Sequence, residues 1–451
     1  MEQIDFFQCF DSNEMIKEQE QQQQWRDWSA LPNGILFDLS NKLTMIDDYV
    51  RFGAVCIAWR NVFLAEASQF KFKQCIPFLL ISPPPKEVEE ASNSDSINPK
   101  KRKPGRDFSI IPHRREQGKS KRRKMCSSEE GRSRSLYNTI TRNVYNFQVR
   151  VPHDRICRGS SFGWLVTIKK RSHGDIKYYV QLQNPFLPDT DIIHLPQVSI
   201  DGIFERGCYD EPSNVLNKAI LSAAPDNNIN KNFVVMAIMT SDSKLAYFNP
   251  ADKDFCWNPI GDWDDRSVAF GDLIYFRSTQ QFYALDIATG AVFGVAIKDR
   301  GSESYTFPEL TKVTPAAPDL IEEMGDYGRY IVESPEGDLL QVLKGEWRTT
   351  ECETRFQVLK FDPVGKKWNK ISHLGDTILF LGNNCSISRS ASDFPECKPN
   401  CIYYTDNYWE ENMGIFDLED GTVKPHYPVL LRRSGSGPPI WIEPTLQMGR
   451  S

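Results

Sequence analysis

Short apolar segments that end at Gly, Pro, Asn or Asp recur from residue 136 to about residue 446, and this repetition most limits how the chain can fold. The segments are rich in β-branched and aromatic residues, a composition typical of β-strands. The segments are VYNFQVRVP, GWLVTIKK, KYYVQLQNP, NFVVMAIMT, KLAYFNP, GDLIYFRS, QFYALDIATG, GRYIVESPEGDLLQVLK, RFQVLKFDP, DTILFLG, NCIYYTD and MGIFDLEDG. Helical periodicity is scarce here, so the region is predicted to be all-β.

The turns that follow these strands repeat as well. An apolar-x-apolar strand followed by Asn or Asp recurs at Asn184, Asn249, Asp286, Asp362 and Asp417. Trp257 and Trp368 each follow one of these turns. Four-stranded units of roughly 40–50 residues, arranged radially, form a β-propeller. We therefore predict a propeller of about six blades; the alternative is a pair of β-sandwiches or a barrel, which would use fewer hairpin-sized repeats.

Charge is distributed unevenly along the 451 residues, which are enough for two or three domains. The net charge is −6, yet residues 98–134 hold 14 Lys/Arg against 4 Asp/Glu, which leaves −16 for the remainder. This pattern differs from a dedicated nucleic-acid binder with a basic face, so nucleic acid is an unlikely partner. The Gln-rich residues 1–24 and the Pro-, Ser- and charge-rich residues 83–135 are predicted to be disordered.

Targeting signals constrain where the chain acts. No apolar run reaches the ~18 residues of a membrane span, and the acidic amino terminus lacks a secretory signal. We therefore expect the protein to stay inside the cell without a membrane partner.

A small helical region precedes the strands. WSALPNGILFDLSNKLTMIDDYVRFGAVCIAWRNVF (residues 28–63) places Ile35, Leu36, Leu39 and Leu43 on one helix face, after a Pro suited to a first turn. A region this short buries little surface alone. Its apolar face must be covered by the β-domain or by another protein.

This region resembles the F-box, through Leu-Pro followed by apolar pairs and then an apolar helix with Val-Cys-x-x-Trp-Arg. The resemblance implies docking onto a Skp-type adaptor and, through it, a cullin scaffold in an SCF ubiquitin ligase. The docking and packing positions that it implies are Leu31, Pro32, Ile35, Leu36, Leu39, Leu43, Val50, Val55, Cys56 and Trp59. Gly34 and Gly53 depart from the usual pattern, and each Gly costs up to ~1 kcal/mol in a helix.

The remainder resembles the KIB-type β-propeller domain of plant F-box proteins, through ICRGSSFGWLV, NPFLPDTDIIHLP, AVFGDLIYF and the closing PPIWIEP. The resemblance implies an α+β multidomain chain, with a small all-α F-box domain over residues 25–70 and an all-β, kelch-like propeller over residues 76–446. Residues 83–135 then form an insert between the first two strands. In this arrangement IPFLLIS (residues 76–82) pairs with PPIWIEP, because propellers commonly close with strands from both ends of the sequence.

Two basic clusters within the insert are typical of a nuclear import signal. They comprise Lys100, Lys101, Arg102, Lys103, Lys121, Arg122, Arg123 and Lys124. An import receptor is therefore an expected partner and the nucleus the expected location, with the cytoplasm as the alternative. A solvated charge run and a phosphate-binding tail remain alternative interpretations.

The sequence contains no recognisable catalytic constellation. The six His are isolated, and GSSFGW (residues 159–164) and the Asp of GDW and GDL are interpreted as turn residues. Cys397 and Cys401 lack a second ligand pair, so no metal and no cofactor is expected.

We therefore expect a non-catalytic substrate-recognition subunit of an SCF-type ligase, whose target and target-contacting residues the sequence does not identify. The alternative is a ligand-binding or nucleic-acid-associated propeller outside any ligase.

Overall fold

The computed structural model falls into two compact units, one within Met1–Lys73 and the other within Gln74–Gly449. It describes residues 28–40, 42, 52, 55–67, 77–81, 133–152, 155–170, 177–186, 192–199, 215–225, 233–239, 242–263, 267–296, 308–318, 324–347, 353–394, 396–405, 413–425 and 439–444. No helix in these ranges is long and apolar enough to cross a bilayer.

The first unit is helical where it is described. A 3-10 helix covers Trp28–Ala30, α1 covers Asn33–Ser40 and α2 covers Ile57–Ala67. The carbonyl of Pro32 accepts hydrogen bonds from the backbone N–H of Ile35 (3.0 Å) and of Leu36 (3.1 Å). Pro32 therefore lies immediately before α1, and its carbonyl accepts the first hydrogen bonds of the helix.

The second unit is a six-bladed β-propeller built from six sheets of four or five strands. The first sheet contains β1 (Phe78–Ile81), β2 (Ser133–Tyr137) and β3 (Val144–Pro152). The second contains β4 (Ile156–Ser161), β5 (Trp164–Lys170), β6 (Lys177–Gln183), β7 (Ile193–His194) and β8 (Val198–Ser199). The third contains β9 (Leu216–Leu221), β10 (Val235–Met239), β11 (Lys244–Phe248) and β12 (Asn258–Pro259).

The next three blades follow in chain order. The fourth sheet contains β13 (Phe270–Phe276), β14 (Gln281–Asp286), β15 (Val292–Ala296) and β16 (Glu309–Lys312). The fifth contains β17 (Met324–Glu333), β18 (Leu339–Trp347), β19 (Glu353–Asp362) and β20 (Lys367–Ile371). The sixth contains β21 (Thr377–Gly382), β22 (Cys385–Ser390), β23 (Cys401–Tyr404), β24 (Gly414–Asp417) and β25 (Val423–Lys424). A 3-10 helix at Ala391–Asp393 lies between β22 and β23 in the sequence.

The ring closes through a strand from the far end of the sequence. Strand β26 (Ile440–Ile442) pairs antiparallel with β1, with Leu79 opposite Trp441. The predicted pairing of IPFLLIS with PPIWIEP is therefore confirmed. Strand β2 begins at Ser133, so the last three residues assigned to the insert belong to the sheet, where Ser135 pairs with Ile81. The polar run RSRS gave no sign of a strand in the sequence. In the structure Arg134 of this run is buried, and its Nη2 donates to the carbonyl of Arg155 (2.8 Å).

The inner strands of the blades contact one another around the centre of the ring, and β26 of the first blade contacts β4 of the second. Strand β4 contacts β9, β9 contacts β13, β13 contacts β17, and β22 contacts both β17 and β4. In the sixth blade β22 is the inner edge strand, next to β21. The other side of β21 pairs in parallel with β23. The approach of β4 to β9 requires a glycine, because a Cβ at Gly159 would lie 1.7 Å from the carbonyl oxygen of Ala219.

The repeated turn residues have the expected chemistry. The side-chain oxygen of Asn184 accepts the N–H of Phe186 (2.9 Å), and that of Asn249 accepts the N–H of Ala251 (3.0 Å). Asp286, Asp362 and Asp417 cap the following turns in the same way. These side-chain bonds satisfy backbone N–H groups at the turns, where the chain reverses direction and strand pairing ends.

The two repeated tryptophans join neighbouring blades. The indole N–H of Trp257 in the third blade donates to the carbonyl of Pro196, which follows the second blade's β7 (2.9 Å). The indole of Trp368 in the fifth blade donates to Pro315, which follows the fourth blade's β16 (3.2 Å). The same side chain thus performs the same structural task twice around the ring.

We predict that Trp441→Ala weakens closure of the ring. Trp441 is fully buried, packs against Phe380 and donates from its indole to the carbonyl of Leu381 in the neighbouring blade (3.0 Å). The substitution should lower the free energy of unfolding by roughly 3–5 kcal/mol, measured by urea denaturation. Val364→Ala, at a side chain that is 94% exposed, is the control and should change it by about 0.5 kcal/mol or less. Equal losses for both variants would contradict the closure argument.

Candidate functional site

Few apolar side chains are buried among the residues that the structure describes in the helical unit. Leu36, Phe52 and Val62 are buried, and Leu31 and Trp59 pack partly against them. The ring of Trp59 lies 4.6 Å from that of Phe52, centroid to centroid. Its indole N–H donates to the carbonyl of Trp28 (2.8 Å), which joins α2 to the first turn.

Most other apolar side chains described in this unit point to solvent. The exposed fractions are 79% for Ile57, 57% for Trp28, 52% for Val55, 48% for Ile35, 40% for Phe37 and 37% for Leu39. Exposed large apolar side chains that are concentrated in so short a region are typical of an interaction site. Burying one large aliphatic side chain contributes ~1.5–3 kcal/mol.

The sequence-predicted docking positions that the structure describes therefore separate into three groups. Pro32, Ile35, Leu39 and Val55 are exposed, and Leu31, Cys56 and Trp59 are half-buried. Leu36 is fully buried and holds the unit together. Trp28, Phe37 and Ile57 are also exposed, although they were absent from the predicted set. Of these, Phe37 lies on α1 beside Leu36, and its signal was an apolar side chain off the face that contains Leu36.

Ten of the predicted site residues lie outside the described residues. They are Leu43, Val50 and the eight basic residues Lys100, Lys101, Arg102, Lys103, Lys121, Arg122, Arg123 and Lys124.

A buried ionic network occupies the centre of the propeller. Asp272 on β13 pairs through Oδ1 with the ammonium of Lys218 on β9, and both are about 2% exposed. Its Oδ2 accepts the N–H of Ile331 on β17 (2.8 Å) and the hydroxyl of Ser386 on β22 (3.2 Å). Asp272 therefore connects four central strands. The interpretation of this GDL aspartate as a turn residue is wrong, because it lies inside β13 at a bulge.

A pocket of about 130 Å³ lies where the central strands end, and we call it the mouth pocket. Its lining includes Ser160, Phe162, Arg277, Glu333, Arg389 and Glu443.

Glu333 fixes one wall of the mouth pocket. Its Oε2 accepts from the backbone N–H (3.0 Å) and Nε (3.1 Å) of Arg277, and its Oε1 from the N–H (3.0 Å) and hydroxyl (2.8 Å) of Ser278. Burial alone would raise the pKa of Glu333, but these hydrogen bonds outweigh burial and lower it below its ordinary value of 4.5. Glu333 thus remains a carboxylate that clamps the β13–β14 turn of the fourth blade to β17 of the fifth.

Cys397 and Cys401, the two closely spaced cysteines of the sixth blade, are buried in a hydrophobic cluster. Burial raises the pKa of the Cys397 thiol to about 12 and that of Cys401 to about 11, which keeps both protonated. A protonated thiol is a poor metal ligand. Within the described ranges, no three His, Cys, Asp or Glu side chains converge as a metal site would require.

We predict that Glu333→Gln destabilises the protein in a pH-dependent way. At neutral pH the free energy of unfolding should fall by about 1.5–3 kcal/mol, the range for hydrogen bonds to a charged group. Because the folded-state pKa is lowered, the difference from wild type should be complete above about pH 5 and shrink as pH falls through that pKa. The matched control is Glu336→Gln, at an exposed position in the β17–β18 turn. Chemical denaturation at several pH values measures both; a Glu333→Gln effect that is constant with pH would contradict the clamp.

Comparisons with known proteins agree with this architecture. Residues 136–417 match the family described as the KIB1-4 beta-propeller. F-box protein SKIP23 of Arabidopsis thaliana is 23% identical over 92% of this chain and 95% of its own length. F-box protein At2g26160 of the same plant is 21% identical over 84% and 96%, and F-box protein At2g17036 is 21% identical over 92% and 95%.

The family match covers more than half of the chain, and these relatives align along nearly their whole length. The chain therefore belongs to the KIB1-4 β-propeller family of plant F-box proteins.

Proposed function

We propose that this protein is the substrate-recognition subunit of an SCF-type ubiquitin ligase. The helical unit docks onto a Skp-type adaptor, and through it onto a cullin scaffold, while the propeller holds a target protein. The observation that carries the proposal is the exposure of Trp28, Ile35, Leu39, Val55 and Ile57, set against three buried apolar side chains among the residues that the structure describes in this unit.

The relatives support the assignment of that surface. Each of the three is named an F-box protein, and the alignments extend over most of this chain. A Skp-type adaptor would cover the apolar side chains that the unit itself leaves in water. The gain from each covered side chain offsets the entropy lost when the two proteins associate.

The mechanism is proximity. The propeller holds the target protein near the ubiquitin-loaded enzyme of the assembly. This raises the effective concentration of the target's lysines at that enzyme. Bond formation takes place on the partner proteins in this scheme. The propeller contributes a rigid frame, because the central network joins its third to sixth blades. Tryptophan bonds also join the second blade to the third, the fourth to the fifth and the sixth to the first.

We predict that Ile35→Asp weakens adaptor binding at least tenfold without unfolding the chain. Ile35 is half-exposed on α1, so the carboxylate is solvated in the free protein but must be desolvated on docking. Isothermal titration with a purified Skp-type adaptor measures the change, and a tenfold loss corresponds to about 1.4 kcal/mol.

The matched control is Val364→Asp, which introduces the same charge at an exposed apolar position of the propeller. It should bind the adaptor as wild type does. The receptor proposal fails if wild type does not bind, or if the two variants bind equally well.

We also propose nuclear import through the basic clusters of the insert. Alanine replacement of Lys100, Lys101, Arg102 and Lys103 together with Lys121, Arg122, Arg123 and Lys124 should move a fluorescent fusion from the nucleus to the cytoplasm of plant cells. Alanine at the exposed lysines Lys366, Lys367 and Lys370 of the fifth blade is the charge control and should leave the distribution unchanged. Nuclear accumulation that survives loss of both clusters would show that the insert is only a solvated charge run.

A further inference from the structure

The mouth pocket has the features of a binding site rather than of a packing defect. Side chains from five strands or their ends converge on it, among them Ser160 of β4, Leu221 of β9, Glu333 of β17 and Ser388 of β22. Ser386 also lines it and donates to Asp272, so the buried ionic network lies directly behind it. The pocket is therefore a small cup at one end of the ring.

The turn that presents Phe162 to this cup is strained. Phe162 has φ = 53° and Gly163 has φ = 77°, the left-handed pair of a two-residue type I′ hairpin between β4 and β5. Asn or Gly normally occupies the first of these positions, and a bulky aromatic residue there is an outlier. Strain of this kind concentrates at functional sites. The GSSFGW segment is a turn, as its sequence predicts, and it also positions the aromatic ring of Phe162 at the pocket.

The charged lining favours a carboxylate. Both oxygens of Glu333 are occupied by four hydrogen bonds from Arg277 and Ser278. Arg277 uses Nε for this bond and its side chain is 62% exposed, which leaves a guanidinium edge accessible. Arg389 also lines the cup, where its Nη1 donates to the carbonyl of Ser388 (2.6 Å) and its Nη2 pairs with Glu443, the carboxylate that a ligand would displace. Guanidinium groups fixed in this way recognise carboxylates with defined geometry.

Size restricts the ligand further. At about 130 Å³, the cup is well below the roughly 300–1,000 Å³ of a site that encloses a drug-sized ligand. Its apolar wall of Phe162, Leu221 and Ile387 stands beside the guanidinium groups. A chain end carries a carboxylate and a side chain on the same carbon, whereas an Asp or Glu side chain brings a carboxylate alone.

We propose that the mouth pocket binds the carboxyl-terminal residue of a target polypeptide. The α-carboxylate pairs with Arg277 and Arg389, and an apolar last side chain packs on Phe162. This inference rests on the proposed function, because it names the part of a target that the propeller holds.

The test uses the full-length chain alone and two pools of random octapeptides, one with free carboxyl termini and one with amidated termini. Immobilised protein is exposed to each pool, and the retained peptides are quantified by mass spectrometry. The free-carboxyl pool should be retained at least tenfold more than the amidated pool, with enrichment of apolar last residues. Equal retention of the two pools, or retention of neither, overturns the proposal.

Two variants identify the pocket. Phe162→Asn suits the turn and should lower the retention of the free-carboxyl pool at least tenfold, to the level of the amidated pool. Phe255→Asn, at an exposed aromatic residue of the third blade, should leave the retention of both pools unchanged. Glu443→Gln should increase retention of the free-carboxyl pool severalfold, a gain that misfolding cannot produce, with Glu336→Gln as control. Reduced retention by Glu443→Gln would show that the site prefers a cation and would overturn the proposal, as would full retention by Phe162→Asn.

No adaptor takes part in this experiment. A failure here leaves the adaptor titration of Ile35→Asp to be judged separately, and a failure of that titration does not alter the retention of peptides.

Discussion

The pairing of β26 with β1 is the contact on which the propeller depends. Strands almost 360 residues apart in sequence complete the first blade, with Leu79 opposite Trp441. In a propeller this closure leaves short sheet edges that the radial packing of the blades protects. It also brings the central strands into one ring, where Asp272 can reach Lys218, Ser386 and the backbone of Ile331 at the same time. A buried ion pair is weak evidence of net stability, but four strands that share one carboxylate are held in a single register.

The helical unit shows the opposite balance. Its core contains Leu36, Phe52 and Val62, whereas Ile57, Val55 and Ile35 remain largely in water. A domain this small rarely buries enough apolar surface to be stable without help. Among the described residues, the propeller buries most of its large apolar side chains and the helical unit leaves several exposed. In the proposed function this difference makes the propeller the frame that holds a target and the helical unit the point of attachment.

The sequence predicted the parts of the fold that depend on local pattern. The apolar strands, the Asn and Asp turns and the closing pair all follow from alternation, turn chemistry and the family resemblance. Three central strands, β4, β9 and β22, escaped because Arg158, Lys218 and Ser388 interrupt their apolar pattern. These polar side chains are buried only because other blades supply their surroundings, which no local window contains. Asp272 was misread as a turn residue for the same reason. On α1, periodicity grouped Ile35 with Leu36, but only the packing of α2 determines which of them is inside.

Hydrogen–deuterium exchange of the full-length protein, with and without a purified Skp-type adaptor, tests the central claim most directly. The account predicts that the adaptor slows exchange within residues 28–67, most strongly in α1 and the start of α2, and leaves the strands of the propeller unchanged. Exchange in α1 and α2 that is already as slow in the free protein as in the propeller core, with no further change on adding the adaptor, would contradict it.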